Sequence, residues 1–534
     1  MACMEVDKKA DVEVAVLSSK DIRVFVAIVL RRQASHAFLV NEPNEFLDIG
    51  LHLIPDMKSA LVVSLYNGCL ASEALYTDDV GNQTTAPSSM DIFGITPEGI
   101  SGLARETIHD RIIGCLFGSA LGDAVGLYTE FLSGDMSATA YPSRKFVLHP
   151  ESEATLFRSD AHRNPHRPGE WTDDTDHALL ILLSCLHKDC TELDAQDFAS
   201  RLSIWVRFGL LALDTLPLGL GRTVGAIVRT RTYLDDPEGT ARAHWKNTNY
   251  HAAPNGSLMR THPLGLLCLD KPLYDTFETA AAYSVVTHVD PRCIISCAIG
   301  TALIRGLLRQ QVRQEDDIDT TIAEGLSWWT GYRARQMQDP DRRDEPDLDL
   351  AEFRRHAKVE NLDALQLDDA LKMGYVYKTF GSGVHLLRMA MRKSADSGHS
   401  LSAQSAMFEP LMTDLVMRGG DADTNACFAG ALLGAYVGYR ALPPHWRDGL
   451  RHGSWLMQKT EGLCQLLGVA EGTYKGSDDK ETSPDGGRGF PTEKQMDEKV
   501  MLLQADMARR QQERTRMEEQ GQKKGKGIGW LKWK

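Results

Sequence analysis

The chain lacks a cysteine pattern of the kind that binds zinc. Its ten cysteines are scattered through 534 residues, and neither Cys185/Cys190 nor Cys293/Cys297 has the spacing of a zinc ribbon. Both pairs fall within apolar helical patterns, which favours buried free thiols in a reducing compartment. We therefore expect an intracellular protein, cytoplasmic or nuclear.

The N-terminal region has neither a basic start nor a long hydrophobic run. Residues 1–14 are polar and acidic, unlike a secretory signal. The longest apolar run there, residues 24–30, is far shorter than the ~20 residues that cross a bilayer. We therefore expect no membrane span.

Basic residues are in the minority. The chain has 59 Lys and Arg against 73 Asp and Glu, a net charge of -14. Stable binding to nucleic acid is not expected, because affinity for the phosphate backbone comes from clustered positive charge. One basic stretch, residues 523–534, could contact an acidic partner or a membrane surface, although its composition is also that of a disordered end without a role.

Composition divides the chain into three parts. Residues 1–105 carry short β-branched runs and predict a small mixed α/β segment of unassigned role. Residues 106–470 have long helical patterns rich in small residues and predict an all-α domain. Residues 471–534 predict a disordered linker at 476–489, a charged helix at 493–520 and the basic end. The β-branched runs lie at residues 12–17, 22–30, 37–40 and 60–66.

Two short acidic clusters are typical of a site for hard divalent cations. W-T-D-D-T-D spans Trp171–Asp176, and R-G-G-D-A-D-T-N spans Arg418–Asn425. Each places two aspartates and a threonine hydroxyl directly before an apolar helical pattern, and such cations prefer oxygen ligands. Taken singly, each cluster is better explained as ordinary N-capping of a helix, and only the two clusters together favour a metal site.

Glycines repeated every four residues predict how the two clusters meet. They recur at residues 114, 118, 122 and 126, and again at residues 430, 434 and 438. Residues four apart share one helix face, so each ridge allows close backbone approach. Antiparallel packing of the two helices would bring Asp123 and Glu130 beside Asp421 and Asp423. The alternative is that each ridge packs elsewhere in a helical core.

A shared site would collect Glu130, Asp173, Asp174, Asp421 and Asp423 in one pocket. Like charges at short range raise one another's pKa, so one or two divalent cations would be needed to stabilise the cluster. The helix N-termini that follow each cluster would add favourable positive charge.

Other acidic motifs do not fit. An EF-hand loop starting at Asp421 needs glycine at its sixth position and an acid at its twelfth, where this chain has Ala426 and Leu432. A phosphatase of the D-x-D-x-T type needs threonine two places after its second aspartate, whereas Thr424 follows Asp423 directly.

With these motifs the chain resembles the ADP-ribosylglycohydrolase family, which includes the dinitrogenase reductase-activating glycohydrolases. The resemblance covers about Arg111–Trp446. Five segments occur in family order: G-S-A-L-G-D-A-V-G-L-Y-T-E (Gly118–Glu130), G-E-W-T-D-D-T (Gly169–Thr175), P-N-G-S-L-M-R (Pro254–Arg260), T-H-V-D-P-R (Thr287–Arg292) and G-G-D-A-D-T-N (Gly419–Asn425). The resemblance implies an all-α domain with two divalent cations, Mg2+ or alternatively Mn2+, that cleaves ADP-ribose from modified protein side chains or related conjugates.

The resemblance also implies roles for individual residues. Metal ligands would be Thr172, Asp173, Asp174, Asp421, Asp423 and Thr424. Glu130 matches an acid that contacts or shields the metals, and Asp173 or Asp174 would activate the attacking water. Substrate would be bound by the Asn255–Gly256–Ser257 loop through backbone amides that suit an anion, by His288, and by a wall at Gly219, Gly221 and Arg222.

The leaving group stays open. The loop before Pro254 reads N-T-N-Y-H-A-A and lacks the Ser-Tyr pair of some family members. Serine-, arginine- or nucleic-acid-linked ADP-ribose and small-molecule conjugates all remain candidate substrates. A different class of function is a non-catalytic ADP-ribose-binding or scaffold protein that retains the fold.

Overall fold

The computed structural model describes residues 102–397 and 400–530, and four short strands before them; side chains are described for residues 104–396 and 400–516. The chain divides into two compact units, residues 1–92 and 93–534. In the first unit, β1 (Glu13–Val16) pairs antiparallel with β2 (Ala27–Leu30), and β3 (Tyr76–Thr77) pairs with β4 (Gln83–Thr84). The first two strands lie within the β-branched runs at 12–17 and 22–30. The runs at 37–40 and 60–66 lie outside the described residues.

The second unit is helical, as predicted. Its described residues form helices and one isolated β-bridge, between Pro254 and Tyr375. The α-helices are α1 (Gly102–Gly126), α2 (Gly134–Ala140), α3 (Asp173–His187), α4 (Ala195–Phe208), α5 (Arg222–Val228), α6 (Pro237–Asn247), α7 (His262–Leu267), α8 (Leu273–Val285), α9 (Pro291–Leu308), α10 (Glu315–Gln336), α11 (Leu350–Ala357), α12 (Val376–Ser397), α13 (Leu401–Val416), α14 (Ala422–Val437), α15 (Pro444–Arg447), α16 (Gly453–Leu466) and α17 (Glu493–Trp530). Short 3-10 helices lie at Glu151–Glu153, Leu211–Leu213, Pro340–Arg342, Leu362–Leu365, Tyr439–Ala441 and Lys480–Thr482.

The core is built around α14. Every residue of this helix is buried, and α1, α12 and α13 pack around it. Helix α9 is also enclosed: it is apolar and long enough to cross a membrane by length and composition, but 94% of it is buried inside the protein. That burial is typical of a core helix in a large helical domain.

The glycine ridges pack directly against each other. A Cβ atom on Gly430 would lie 2.8 Å from the carbonyl carbon of Gly118, and one on Gly434 would lie 2.6 Å from that of Gly114. At the other end of α1, a Cβ atom on Gly126 would lie 2.5 Å from the backbone nitrogen of Asp423. Chain order therefore runs in opposite directions along the contact, and the predicted antiparallel pairing is confirmed.

The prediction of disorder for residues 476–489 is wrong. The segment packs against the helical domain: Thr482 is buried, and its carbonyl oxygen accepts a hydrogen bond from Arg201 at 2.7 Å. The buried ammonium of Lys459 pairs with Asp479 at 2.5 Å and with Glu481 at 2.7 Å. Glycine and aspartate serve here as turn formers rather than as signs of an unfolded segment. The predicted charged helix is present as α17, and it extends beyond residue 520 to Trp530.

Candidate metal centre

The end of α1 places Glu130 beside the second acidic cluster. The backbone N–H of Phe131 donates to the Gly420 carbonyl at 2.6 Å, and that of Gly420 donates to the Leu132 carbonyl at 2.8 Å. Gly420 has a φ of +70°, and a side chain there would overlap the Leu367 carbonyl, so the tight loop requires glycine. The paired backbones fix the turn after α1 to the residue before Asp421.

Three acids meet at this point. Carboxylate oxygens of Glu130, Asp421 and Asp423 lie within 4.8 Å of one another. Asp421 accepts a hydrogen bond from Asn255 Nδ2 at 2.8 Å, while the Asp423 carboxylate accepts the Thr424 backbone N–H at 2.8 Å. The three acids come from segments that only folding brings together.

The first acidic cluster forms the start of α3, where Thr172 is the N-cap residue. Its Oγ1 lies 3.4 Å from Asp174 Oδ2 and 3.5 Å from Asp423 Oδ2. The Thr424 side chain interacts in turn with the carboxylates of Asp174 and Asp421. The two clusters therefore form one site, with their threonine hydroxyls between them.

Asp123 fixes the first cluster to α1. Its Oδ1 accepts the Thr172 backbone N–H at 2.9 Å, and its Oδ2 accepts from the Thr175 N–H at 3.0 Å and the Thr175 hydroxyl at 2.6 Å. A buried carboxylate with three donors is held firmly in place. Asp123 therefore positions the start of α3 and has little free capacity to bind an ion.

The electrostatics of the cluster oppose the ionised form. Burial, and after it the neighbouring carboxylates, raises the pKa of Asp173, Asp174 and Asp423 well above the usual range. The pKa of Asp421 is raised by burial and by Glu130. Among the described side chains, none of the ion pairs involves these four aspartates.

The donor set fits hard divalent cations. It consists of carboxylate and hydroxyl oxygens, and Asp174 Oδ1 is buried with no hydrogen-bond partner among the described residues. An unpartnered carboxylate oxygen in a buried acidic cluster is costly unless a cation or a proton neutralises it. Glu130, Asp173, Asp174, Asp421 and Asp423 could therefore share one or two cations.

The Asn255–Gly256–Ser257 loop borders the acids, but its groups are used differently from our expectation. The Asn255 backbone N–H donates to the Gly374 carbonyl at 3.0 Å, so it does not face an anion. The Ser257 hydroxyl is fully buried and accepts from Ser284 at 3.2 Å and Cys297 at 3.3 Å. Asn255 contributes its side chain to the site, where the amide nitrogen donates to the Asp421 carboxylate.

His288 faces this loop as a neutral side chain. Burial lowers its pKa well below the usual value. The Thr287 hydroxyl accepts from Arg260 at 2.7 Å and is hydrogen-bonded to His288 Nδ1 at 2.7 Å. His288 Nε2 is buried without a partner among the described residues and lies 3.2 Å from where a Gly256 Cβ would be. The unpartnered ring nitrogen of His288 therefore borders the loop at Gly256.

Gly219 packs against Asp173. Gly219 has a φ of +84°, and a Cβ on it would lie 3.2 Å from Asp173 Cγ and overlap Oδ1. Gly221, the N-cap residue of α5, has open space around its Cα. Beside it, Arg222 and Arg229 line an open cavity of about 570 Å³ on α5. Of the predicted wall, Gly219 therefore lies against the acids, whereas Gly221 and Arg222 border the cavity on α5.

Two residues beside Glu130 were missed in the sequence. His162 Nε2 lies 2.5 Å from Glu130 Oε2, and the Arg163 guanidinium donates to the Glu130 carbonyl. Both belong to a loop between helices, with no periodic pattern or motif to mark them. No signal in the sequence distinguishes His162 from the other sixteen histidines.

Comparisons with known proteins agree with this architecture. A family model described as ADP-ribosylglycohydrolase matches residues 104–475. The chain is similar to ADP-ribosylarginine hydrolase Tri1 of Serratia proteamaculans, at 24% identity over 64% of this chain and 75% of the relative. It is also similar to the ADP-ribosyl-[dinitrogen reductase] glycohydrolase of Rhodospirillum rubrum, at 24% identity over 68% and 98% of the two chains. A third relative, ADP-ribosylhydrolase ARH3 of Bos taurus, is 22% identical over 70% and 96%. The chain therefore belongs to the ADP-ribosylglycohydrolase family, whose members are hydrolases that act on the glycosidic bonds of ADP-ribose conjugates.

Proposed function

We propose that the chain is a metal-dependent hydrolase that cleaves the glycosidic bond between ADP-ribose and a modified protein side chain. The observation that carries this proposal is the convergence of Glu130, Asp421 and Asp423 with the start of α3 in a chain of this family. All the acids expected of a metal-binding member are present, which favours catalysis over a scaffold that only binds ADP-ribose.

Two divalent cations would be held between the acidic clusters, and Mg2+ is the ion we propose, with Mn2+ as the alternative. One side would be formed by Thr172, Asp173 and Asp174, and the other by Asp421, Asp423 and Thr424. Bound cations would supply positive charge for the ribose hydroxyls and lower the pKa of a water. Their charge would also relieve the repulsion among the buried carboxylates.

The residues then have distinct tasks in hydrolysis. The bond between the ribose anomeric carbon and the side chain breaks, and a water oxygen bonds to that carbon, through an oxocarbenium-like state. The proton that the water loses to a carboxylate is balanced by the proton that the leaving side-chain atom takes up. Asp174 is our first choice to accept the water's proton, because its Oδ1 has no hydrogen-bond partner among the described residues. Asp173, held against Gly219, is the second. Glu130 would shield the acids until substrate enters.

The bordering groups would bind the rest of the substrate. With its ring proton on Nε2, His288 would donate to a ligand beside Gly256, and Asn255 orients Asp421 through its side-chain amide. The Gly219 backbone packs against Asp173, and open space for a ligand lies beside Gly221. We therefore place the ribose between Asp421 and Asp173, with the remainder of ADP-ribose extending along these two walls.

Arginine-linked ADP-ribose is the first substrate to test, because one of the similar proteins is named for it. Serine-linked ADP-ribose, nucleic-acid-linked ADP-ribose and small-molecule conjugates are the other substrates to test.

We also propose an intracellular location. All eight described cysteines are free, and seven of them are buried, as expected of a protein in a reducing compartment.

The experiment is release of ADP-ribose from proteins carrying a defined arginine or serine linkage. The full-length protein is incubated with Mg2+, with Mg2+ plus chelator, and with Mn2+ restored after chelation. We expect release that stops with chelator and returns with metal. Release that is unchanged by chelator would overturn the metal dependence, and absence of release from every linkage would overturn the activity.

A further inference from the structure

Helix α17 lies against the loop that contacts Glu130. Arg514 Nη1 donates to the Phe157 carbonyl at 3.4 Å, and Gln511 Oε1 accepts from the Ser159 hydroxyl at 3.2 Å. Asp506 pairs with Arg167 at 2.9 Å, at the far end of the same loop. The contacts thus extend along residues 157–167, which we call the Glu130 loop.

Arg510 makes the central contact. Its Nη1 donates to the His166 carbonyl at 2.7 Å, and its Nη2 donates to the carbonyls of Asn164 and Pro165 at 2.9 and 3.4 Å. Three consecutive carbonyls at the end of a helical turn have no partner within the turn, and a guanidinium has enough donors for all of them. Arg510 Nε is itself held by Asp506 at 2.9 Å, and the side chain is only 18% exposed.

The opposite side of the Glu130 loop holds Glu130 by its backbone. Arg163 is 2% exposed; its Nε donates to the Tyr128 carbonyl at 3.0 Å, and its Nη2 donates to the Glu130 carbonyl. Asp160 orients the same guanidinium through Nη1 at 2.6 Å. A buried arginine with these partners makes the loop and the turn after α1 move together.

His162 holds the Glu130 carboxylate. Its Nε2 lies 2.5 Å from Glu130 Oε2, and its ring packs on Phe131 at 4.8 Å between centroids. Only two to four residues separate His162 from the carbonyls that Arg510 binds. A continuous series of contacts therefore connects α17, the Glu130 loop, Glu130 and the Asp421–Asp423 pair.

This series begins outside the family match, which ends at residue 475, whereas α17 begins at Glu493. We propose that Arg510 is a positioning residue for Glu130: by binding the carbonyls of residues 164–166 it holds His162 and Arg163 against Glu130, and so fixes the carboxylate over the site. The catalytic consequence rests on the proposed function. The structural consequence does not.

Loss of the Arg510 side chain would free the Glu130 loop. Three carbonyls would return to solvent, and His162 would no longer be held within reach of Glu130 Oε2. Because misplacement of a catalytic-site group by about 1 Å can cost up to ~100-fold in rate, we expect Arg510→Ala to lower kcat/KM by about 10-fold. The fold itself should persist, because the partly buried Arg510 bonds to the Glu130 loop and to Asp506 on its own helix rather than to the helical core.

The test uses the full-length protein and three variants that each change one arginine of α17. Arg510→Ala removes the donors, Arg510→Lys retains the charge without the planar fork, and Arg516→Ala is the control, since Arg516 is an exposed arginine on the same helix. Hydrogen exchange of peptides covering residues 127–133 and 157–167 is measured without substrate, alongside Mg2+ affinity. Steady-state kinetics are then measured in the wild-type and Glu130→Gln backgrounds.

We expect faster exchange in both peptides for Arg510→Ala, partial recovery for Arg510→Lys and no change for Arg516→Ala. In the Glu130→Gln background, Arg510→Ala should reduce kcat/KM no further, because both act through the same carboxylate. Unchanged exchange would overturn the contact, and an equal reduction in both backgrounds would overturn the positioning role. An inactive wild-type protein would overturn only the proposed function, since exchange is read without turnover.

Discussion

Gly118 and Gly430 are in backbone contact, so that a Cβ atom on Gly430 would lie 2.8 Å from the carbonyl carbon of Gly118. The contact sits midway along the pairing of α1 with α14. Since α1 leads to Glu130 and Asp421 is the N-cap residue of α14, the spacing of the two helices sets the spacing of the acids. Stability and ion binding are therefore coupled through this pair.

Gly430→Ala should lower both stability and metal affinity. The added methyl has no space, because the atoms in its way are backbone atoms of α1, so the helices must separate. Overpacking a core of this kind costs about 1–3 kcal/mol. Thermal or denaturant unfolding measures the first effect, and calorimetric titration with Mg2+ measures the second.

The matched control is Gly331→Ala. Gly331 is an exposed glycine within α10, and the nearest heavy atom to its added Cβ is Arg335 Nη1 at 3.9 Å. Alanine should raise helix stability there by up to ~1 kcal/mol. Equal loss of stability in both variants would contradict the close-packing account of the ridges.

Asp421→Asn combined with Asp423→Asn should abolish metal uptake while the domain stays folded. The change removes two of the three acids that meet in the site, leaving Glu130, and nearly retains the size of the side chains. Asp497→Asn, an exposed acid on α17, is the control for loss of a charge. Metal content is measured after dialysis and the fold by circular dichroism. Unchanged stoichiometry in the double variant would exclude a shared site.

Asp123→Asn should loosen the first cluster without removing a ligand. An amide presents an NH2 group toward the Thr172 and Thr175 donors, so at least one bond is lost in a buried place. The expected cost is about 1–3 kcal/mol, with weaker Mg2+ binding as a second effect. Thr175→Val, which removes only the hydroxyl donor to Asp123, should show a smaller change of the same sign. Metal affinity equal to wild type in both would show that Asp123 acts on the fold alone.

The packing of the glycine ridges could be predicted from the sequence, because a helix that makes close backbone contact at every fourth residue needs glycine at every fourth position. The acidic clusters could be paired for the same reason: the first ridge, at residues 114–126, leads to Glu130, and the second, at residues 430–438, lies on the helix that follows Asp421. N-capping and metal binding also proved compatible at Thr172, which is the N-cap of α3 and lies 3.5 Å from Asp423 Oδ2.

Other features depend on contacts that leave no local pattern. His162 reaches Glu130 from a loop, and Arg510 reaches that loop from a helix more than three hundred residues away. The segment 476–489 has the composition of a linker, yet Arg201 and Lys459 hold it in place. Ser257 matched a motif, but burial turned its hydroxyl toward Ser284 and Cys297. In each case the position of the side chain or segment is set by contacts with residues that are distant in the sequence.

Metal-free protein should become less stable as the pH is raised from about 5 to about 8. Burial raises the pKa of Asp173, Asp174 and Asp423 in the folded state, and raises that of Asp176 to about 7. In the unfolded chain these carboxyls titrate near their ordinary values, so the folded state binds more protons across this window. By linkage, the free energy of unfolding then falls as the pH rises.

Saturating Mg2+ should reverse much of this loss of stability, because the cation replaces the protons and its affinity increases with pH. Melting temperatures measured across this range with chelator and with Mg2+ check both slopes. The Asp421→Asn, Asp423→Asn variant should show a shallower slope with chelator and no response to Mg2+, and a wild-type slope of the opposite sign would contradict the account of the buried acids.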